Sequence, residues 1–201
     1  MVRVRKTICN VMLLVIGVMY VLCGCGNDVK SGAKLLEEGN VEEAVSAFER
    51  VISDKKSSQL QLAEAYRGLG MCFYELQQYD QAQDNLQKAV ETGGEETPVL
   101  YHLIGVSAMH QGDFSAALSA FEKGIGLSET EETNGRKSGS GQDETGSAEY
   151  SEMIREMYYN RVACHEKLYD WEQAYAAAKE YLEKYPDDET MQHEAEFLET
   201  R

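Results

Sequence analysis

Basic residues are scarce in this chain. Nineteen Lys and Arg stand against 35 Asp and Glu, giving a formal charge of −16 over 201 residues. A surface of that sign repels a phosphate backbone and argues against nucleic acid as a partner. Proline is scarcer still, with two in the whole chain. Abundant Ala, Glu, Gln, Leu and Lys beside so few prolines predict helices throughout, and no strand pattern is apparent. The signatures of catalysis are missing as well. No Gly-rich phosphate loop follows a strand, and no nucleophile elbow is present. His102, His110, His165 and His193 match no zinc-site spacing, so neither a metal nor a cofactor is expected. The expected function is not enzymatic.

A long apolar run occurs once, at the start. Arg3, Arg5 and Lys6 precede the uncharged stretch Ile8 to Leu22, which is 15 residues long. A helix that crosses a bilayer needs about 20. A basic start, a short apolar centre and small residues after it read as a signal peptide over residues 1–24. An uncleaved membrane anchor is the rival reading.

Cysteine is rare beyond this region: Cys9, Cys23 and Cys25 lie inside it, Cys72 and Cys164 outside. The run Leu22-Cys23-Gly24-Cys25 resembles the lipobox of bacterial lipoproteins. The resemblance gives Leu22 the aliphatic place, Gly24 the small place before the cut, and Cys25 the lipid. It implies a mature chain anchored by acyl chains at the extracytoplasmic face of a bacterial membrane, several chains anchoring far better than one. Without Arg3, Arg5 and Lys6 the net charge would move from −16 to −19. Gly26 stands where the familiar inner-membrane retention signal of diderm bacteria has aspartate.

The rest of the chain repeats itself. Segments beginning at Ala63, Pro98 and Arg155, and one ending at Ile52, carry small and large apolar residues at matching offsets. The starts at 63 and 98 are 35 residues apart, close to a period of about 34. The second segment has Tyr66, Leu69, Gly70 and Phe73, then Tyr79, Ala82, Leu86 and Ala89. The third has Tyr101, Ile104, Gly105 and Ala108, then Phe114, Ala117, Phe121 and Gly124. The first has Gly32, Leu35, Ala44, Phe48 and Val51. The fourth has Tyr158, Trp171, Ala174, Ala178, Tyr181 and Pro186. These patterns resemble tetratricopeptide repeats. The resemblance implies an all-α solenoid of about four helix-turn-helix units, in which stacking buries stripes that no single helix could bury.

The expected organisation is units one to three over 25–127, a disordered acidic loop over 128–149, unit four over 150–186, and a capping helix over 187–201. The loop lacks large apolar residues and so cannot bury enough surface to order. Asp187 or Asp188 would cap the last helix, with Met191, Ala195 and Leu198 as its buried stripe. "EGN" and "QGD" would be turns inside units one and three. Unit four departs from the pattern: Arg161 and Val162 hold the Leu-Gly places and His165 the second aromatic place. A buried arginine there needs a partner, or must turn to solvent. Cys72 and Cys164 fall at one place in two units about 20 Å apart. That exceeds the reach of a disulfide, about 7 Å between Cα atoms, so they are expected as buried small apolar residues.

The family holds partners on the inner face of each unit's first helix. By position those residues are Arg67, Met71 and Tyr74 in unit two, His102, Val106, Met109 and His110 in unit three, and Tyr159, Asn160, Ala163 and Lys167 in unit four. The Lys, Asn and Arg clamp of the chaperone-binding members is lacking. The resemblance therefore implies an envelope scaffold or adaptor that holds another envelope protein or peptide in a concave groove. The alternatives are a dedicated part of an envelope or pilus assembly machine, or a small-ligand lipoprotein.

Overall fold

Every repeat segment folds as a pair of helices in the computed structural model, which describes the backbone of residues 28–133 and 144–201 and the side chains of 28–130 and 148–201. The expected signal peptide over residues 1–24 and the expected lipid site, Cys25, lie outside the described residues. Unit one is α1 (Asp28–Glu37) and α2 (Val41–Ser53); unit two is α3 (Gln59–Glu75) and α4 (Tyr79–Glu91). Unit three is α5 (Pro98–Gln111) and α6 (Phe114–Thr133), and unit four is α7 (Glu144–Lys167) and α8 (Trp171–Lys184). The last helix is α9 (Glu189–Leu198). The described residues contain no strand.

The helix boundaries follow from local chemistry. Ser58 and Gln61 form a capping box on α3, while Thr97 caps α5, with Pro98 in its first turn. Asp188 caps α9 by accepting from the Met191 N–H at 3.1 Å, and Met191, Ala195 and Leu198 are the buried stripe expected of a capping helix. Inside each unit the first helix ends in the same paired hydrogen bonds. In unit three Gly112 N–H donates to the Met109 carbonyl and Asp113 N–H to that of Ala108, both at 3.0 Å. This closure needs a left-handed residue. Gly39, Gln77, Gly112 and Tyr169 supply it, at φ of 77°, 57°, 79° and 61°.

Both flanks of the expected acidic loop, 128–149, are helical. Helix α6 continues through Ser128 to Thr133, and α7 already begins at Glu144; residues 134–143 lie outside the described residues. Extending an existing helix adds a hydrogen bond for each residue fixed, which a polar sequence can exploit without apolar periodicity. Glu129 also has partners to fold against. The Tyr158 hydroxyl donates to it at 2.6 Å and Lys184 Nζ lies 3.5 Å away. The sequence reading weighed only apolar content and missed these polar tethers.

Each helix packs on the next in sequence. The first helices of successive units also pack on one another, α1 on α3, α3 on α5 and α5 on α7. This places them side by side along one face. The series stops at its end, because α7 and α9 make no backbone contact.

Size complementarity holds each pair together. A Cβ on Gly70 would lie 2.5 Å from Leu86 Cγ, and one on Gly105 2.5 Å from Phe121 Cε1. The same two places in unit four hold Val162 and Ala178, both buried in one cluster. The large residue has moved from the second helix to the first. Arg161 stands where Leu69 and Ile104 stand. Its side chain is 11% exposed, Nη2 is 2.7 Å from Glu180 Oε2, and the guanidinium lies over the Tyr158 ring at 5.1 Å. The carboxylate approaches out of line with the N–H bonds, leaving an ion pair without a well-formed hydrogen bond. Arg161 thus takes a partner rather than turning to solvent.

Candidate functional site

The face built from α3, α5 and α7 carries the residues expected to line a groove. One of them is tied across units to a residue of the next first helix. His102 on α5 sits with Nε2 3.1 Å from Glu156 Oε2 on α7. Burial pushes the His102 imidazole below its usual range, against the pull of Glu156. Tyr74 on α3 also feels Glu156. Burial raises its hydroxyl most, and the Glu156 carboxylate adds to the rise. His102 and Glu156 thus join α5 to α7, while α3 packs on α5 beside them.

The other expected groove residues fall into two groups. Arg67 is half-buried and paired with Glu64 on its own helix. Met71 and Met109 are half-buried, and Met109 packs against the main cluster. Val106 is buried in that cluster, so its place on the inner helix serves packing and it presents little to a partner. The cluster it joins runs on into unit four, which position within one repeat could not reveal. His110 is exposed but stacked flat on Tyr79, with ring centroids 3.9 Å apart. Tyr159 is 41% exposed, Asn160 reaches Glu156 Oε1 at 3.5 Å, Ala163 is half-buried and Lys167 is exposed.

Beyond Glu156 the face opens into a cleft of about 330 Å³, where α7 and α9 approach through side chains alone. Glu152, Arg155, Glu156 and Tyr159 line it from α7, Tyr181 from α8, and Asp188 and Thr190 from the start of α9. A fixed network forms its floor. Arg155 donates from Nε to the Tyr181 hydroxyl at 2.8 Å and from Nη2 to Asp188 at 2.7 Å. The Tyr181 hydroxyl in turn donates to Asp188 at 2.6 Å. These donors, Tyr181 first and then Arg155, hold the Asp188 carboxyl down at about 2. Tyr159 meets the Tyr181 ring edge-on at 6.1 Å.

The sequence reading missed Glu152, Arg155 and Glu156. One signal was available: Glu156 lies one helical turn before Tyr159 and Asn160 and so shares their face. Nothing in the sequence placed Tyr181 or Asp188 beside it, because that depends on how α9 docks.

Cys72 and Cys164 are buried free thiols, as expected. Burial pushes them up to about 11 and about 12, which leaves them unreactive. No helix among the described residues is long and apolar enough to cross a membrane.

Comparison with known proteins agrees with this architecture. Two models of the tetratricopeptide repeat match the chain, one over residues 32–96 and 73–131 and the other over 156–188. No curated protein matches. Among solved structures, the crystal structure of MamA superposes with a TM-score of 0.57 at 21% identity, covering 81% of this chain and 79% of that one. The ArsTM double mutant of MamA RS-1 gives 0.62 at 13% identity, covering 88% and 84%. MamA AMB-1 gives 0.61 at 12% identity, covering 87% and 80%. At such identities the likeness is one of fold. With its glycine-pinned helix pairs, its stacked first helices and repeat matches over well more than half its length, the chain belongs to the tetratricopeptide repeat family.

Proposed function

We propose that this protein is a lipid-anchored scaffold of the bacterial cell envelope, binding a partner protein along the face of α3, α5 and α7. The observation that carries the groove reading is the side-by-side packing of α3, α5 and α7, with His102 tied to Glu156 across the last pair. It makes one continuous surface of three units, in which apolar, aromatic and polar groups alternate. Half-buried Met71, Met109 and Tyr74 give such a surface adaptable apolar contact. Support for the anchor comes from the basic start, the short apolar run and the Leu22-Cys23-Gly24-Cys25 pattern. Scaffolding also suits a fold whose repeats present surface rather than enclose a pocket.

The two halves of the reading separate experimentally. Cys25→Ala should move the protein from the membrane to the soluble fraction and abolish labelling by a palmitate analogue. Unchanged membrane association and labelling would end the lipoprotein reading. For the groove, mild detergent extracts run on native gels should show the protein in a complex heavier than its monomer. Met109→Glu with Tyr74→Glu should return it to monomer mass with its helical circular dichroism unchanged. A complex that persists in the double variant would place the partner elsewhere.

A further inference from the structure

The cleft between α7 and α9 has an unbalanced charge and an exposed ring, and both bear on what it can hold. Of its lining residues, Glu152, Glu156 and Asp188 are acidic and Arg155 is basic. Arg155 and Asp188 satisfy each other at 2.7 Å. Glu152 is 70% exposed and only brushes Arg155, at 3.4 Å. Glu156 has its side chain 51% exposed and faces His102, which burial holds toward its neutral form. Three carboxylates therefore face one guanidinium, which leaves the mouth net negative although Glu152 pairs with Arg155 and Glu156 accepts from Asn160. Tyr159 lines the same cleft one helical turn beyond Glu156, 41% exposed and edge-on to Tyr181. A ring face beside carboxylates attracts a cation.

We propose that this cleft receives a lysine or arginine side chain from the segment bound in the groove. The proposal rests on the groove reading and deepens it. The cleft is continuous with the groove through Glu156, which belongs to both. Its volume, about 330 Å³, is at the small end for a ligand site and suits one side chain better than a whole cofactor. A bare metal ion is the poorer occupant, because among the described residues no group of three or more His, Cys, Asp or Glu is placed to hold one. The net charge of −16 draws a basic segment in from a distance as well.

The test is selection of displayed random peptides, with blocked termini, on the immobilised full-length chain. Wild type should enrich peptides with Lys or Arg at one fixed place relative to an apolar residue. Glu152→Gln with Glu156→Gln, whose exposed positions leave the fold intact, should lose that preference. Affinity for the best wild-type peptide should fall about fivefold or more, the scale of two partly exposed ion pairs. Tyr159→Ala should weaken the same peptide, and Glu42→Gln with Glu43→Gln on α2 should leave it unchanged. Enriched peptides without a basic residue, or a basic preference that survives the cleft variant, would overturn the proposal and leave the groove standing. An equal loss in the α2 variant would show only a general acidic field and would also overturn it. No enrichment on any variant would overturn the groove reading itself.

Discussion

Four residues close the four turns inside the repeats, and only two of them are glycine. Gln77 and Tyr169 hold the same left-handed backbone as Gly39 and Gly112, at a cost of about 1 kcal/mol for a residue with a side chain. Gln77→Gly should therefore stabilise the protein by about 1 kcal/mol and raise its melting temperature by about 2–4 °C, read by calorimetry. The paired places Gly70–Leu86, Gly105–Phe121 and Val162–Ala178 give a second prediction. Gly105→Val alone should cost at least about 1–3 kcal/mol by overpacking against Phe121. Adding Phe121→Ala should recover part of that loss, which a double-mutant cycle in urea would show as coupling between the sites. The glycine places were legible in the sequence because small residues recur at fixed offsets. The accommodation of unit four was not, because Val162 becomes understandable only when Ala178 is known to face it, and Arg161 only when Glu180 is.

At the scale of the helix, α9 is held to α7 by side chains rather than by backbone proximity. Asp188 both caps α9 and pairs with Arg155. Asp188→Ala should cost about 1–2 kcal/mol, most of it from the lost cap, and loosen α9 selectively in hydrogen exchange. A second contact between the two helices is acidic on both sides. Burial and then Glu194 push the Glu166 carboxyl up to about 7, with Lys167 opposing. The folded protein thus keeps a proton there that the unfolded chain releases near pH 4.3. Stability from this site is full at low pH and is lost as pH rises toward and through 7. Glu166→Gln should flatten that part of the melting-temperature profile between pH 5 and 8, while Glu172→Gln, exposed on α8, should not. The capping helix and its apolar stripe were readable from Met191, Ala195 and Leu198. The gap between α7 and α9 was not, since it depends on how α9 docks against α7 and α8, which the residue pattern of α9 alone does not set.

Across the whole molecule, stacked pairs give one face to first helices and leave second helices outside. Position within the repeat assigns the expected residues to the first helices, where Tyr74 is half-buried and Tyr159 exposed while His102 is buried. What sequence could not apportion was which of them would be used in holding units together. Val106 went to the core, and His110 to a stack with Tyr79. The central claim is that the remaining face is where a partner sits. The most direct measurement places a photo-crosslinking residue, one at a time, at Arg67, Met109 and Tyr159, and at the exposed second-helix positions Gln81, Glu122 and Lys179. Cells are irradiated intact and the adducts identified by mass spectrometry. The same envelope protein should be recovered at all three inner positions and none at the outer three. Adducts confined to Gln81, Glu122 and Lys179 would contradict it, and would make the outer surface the working face of this protein.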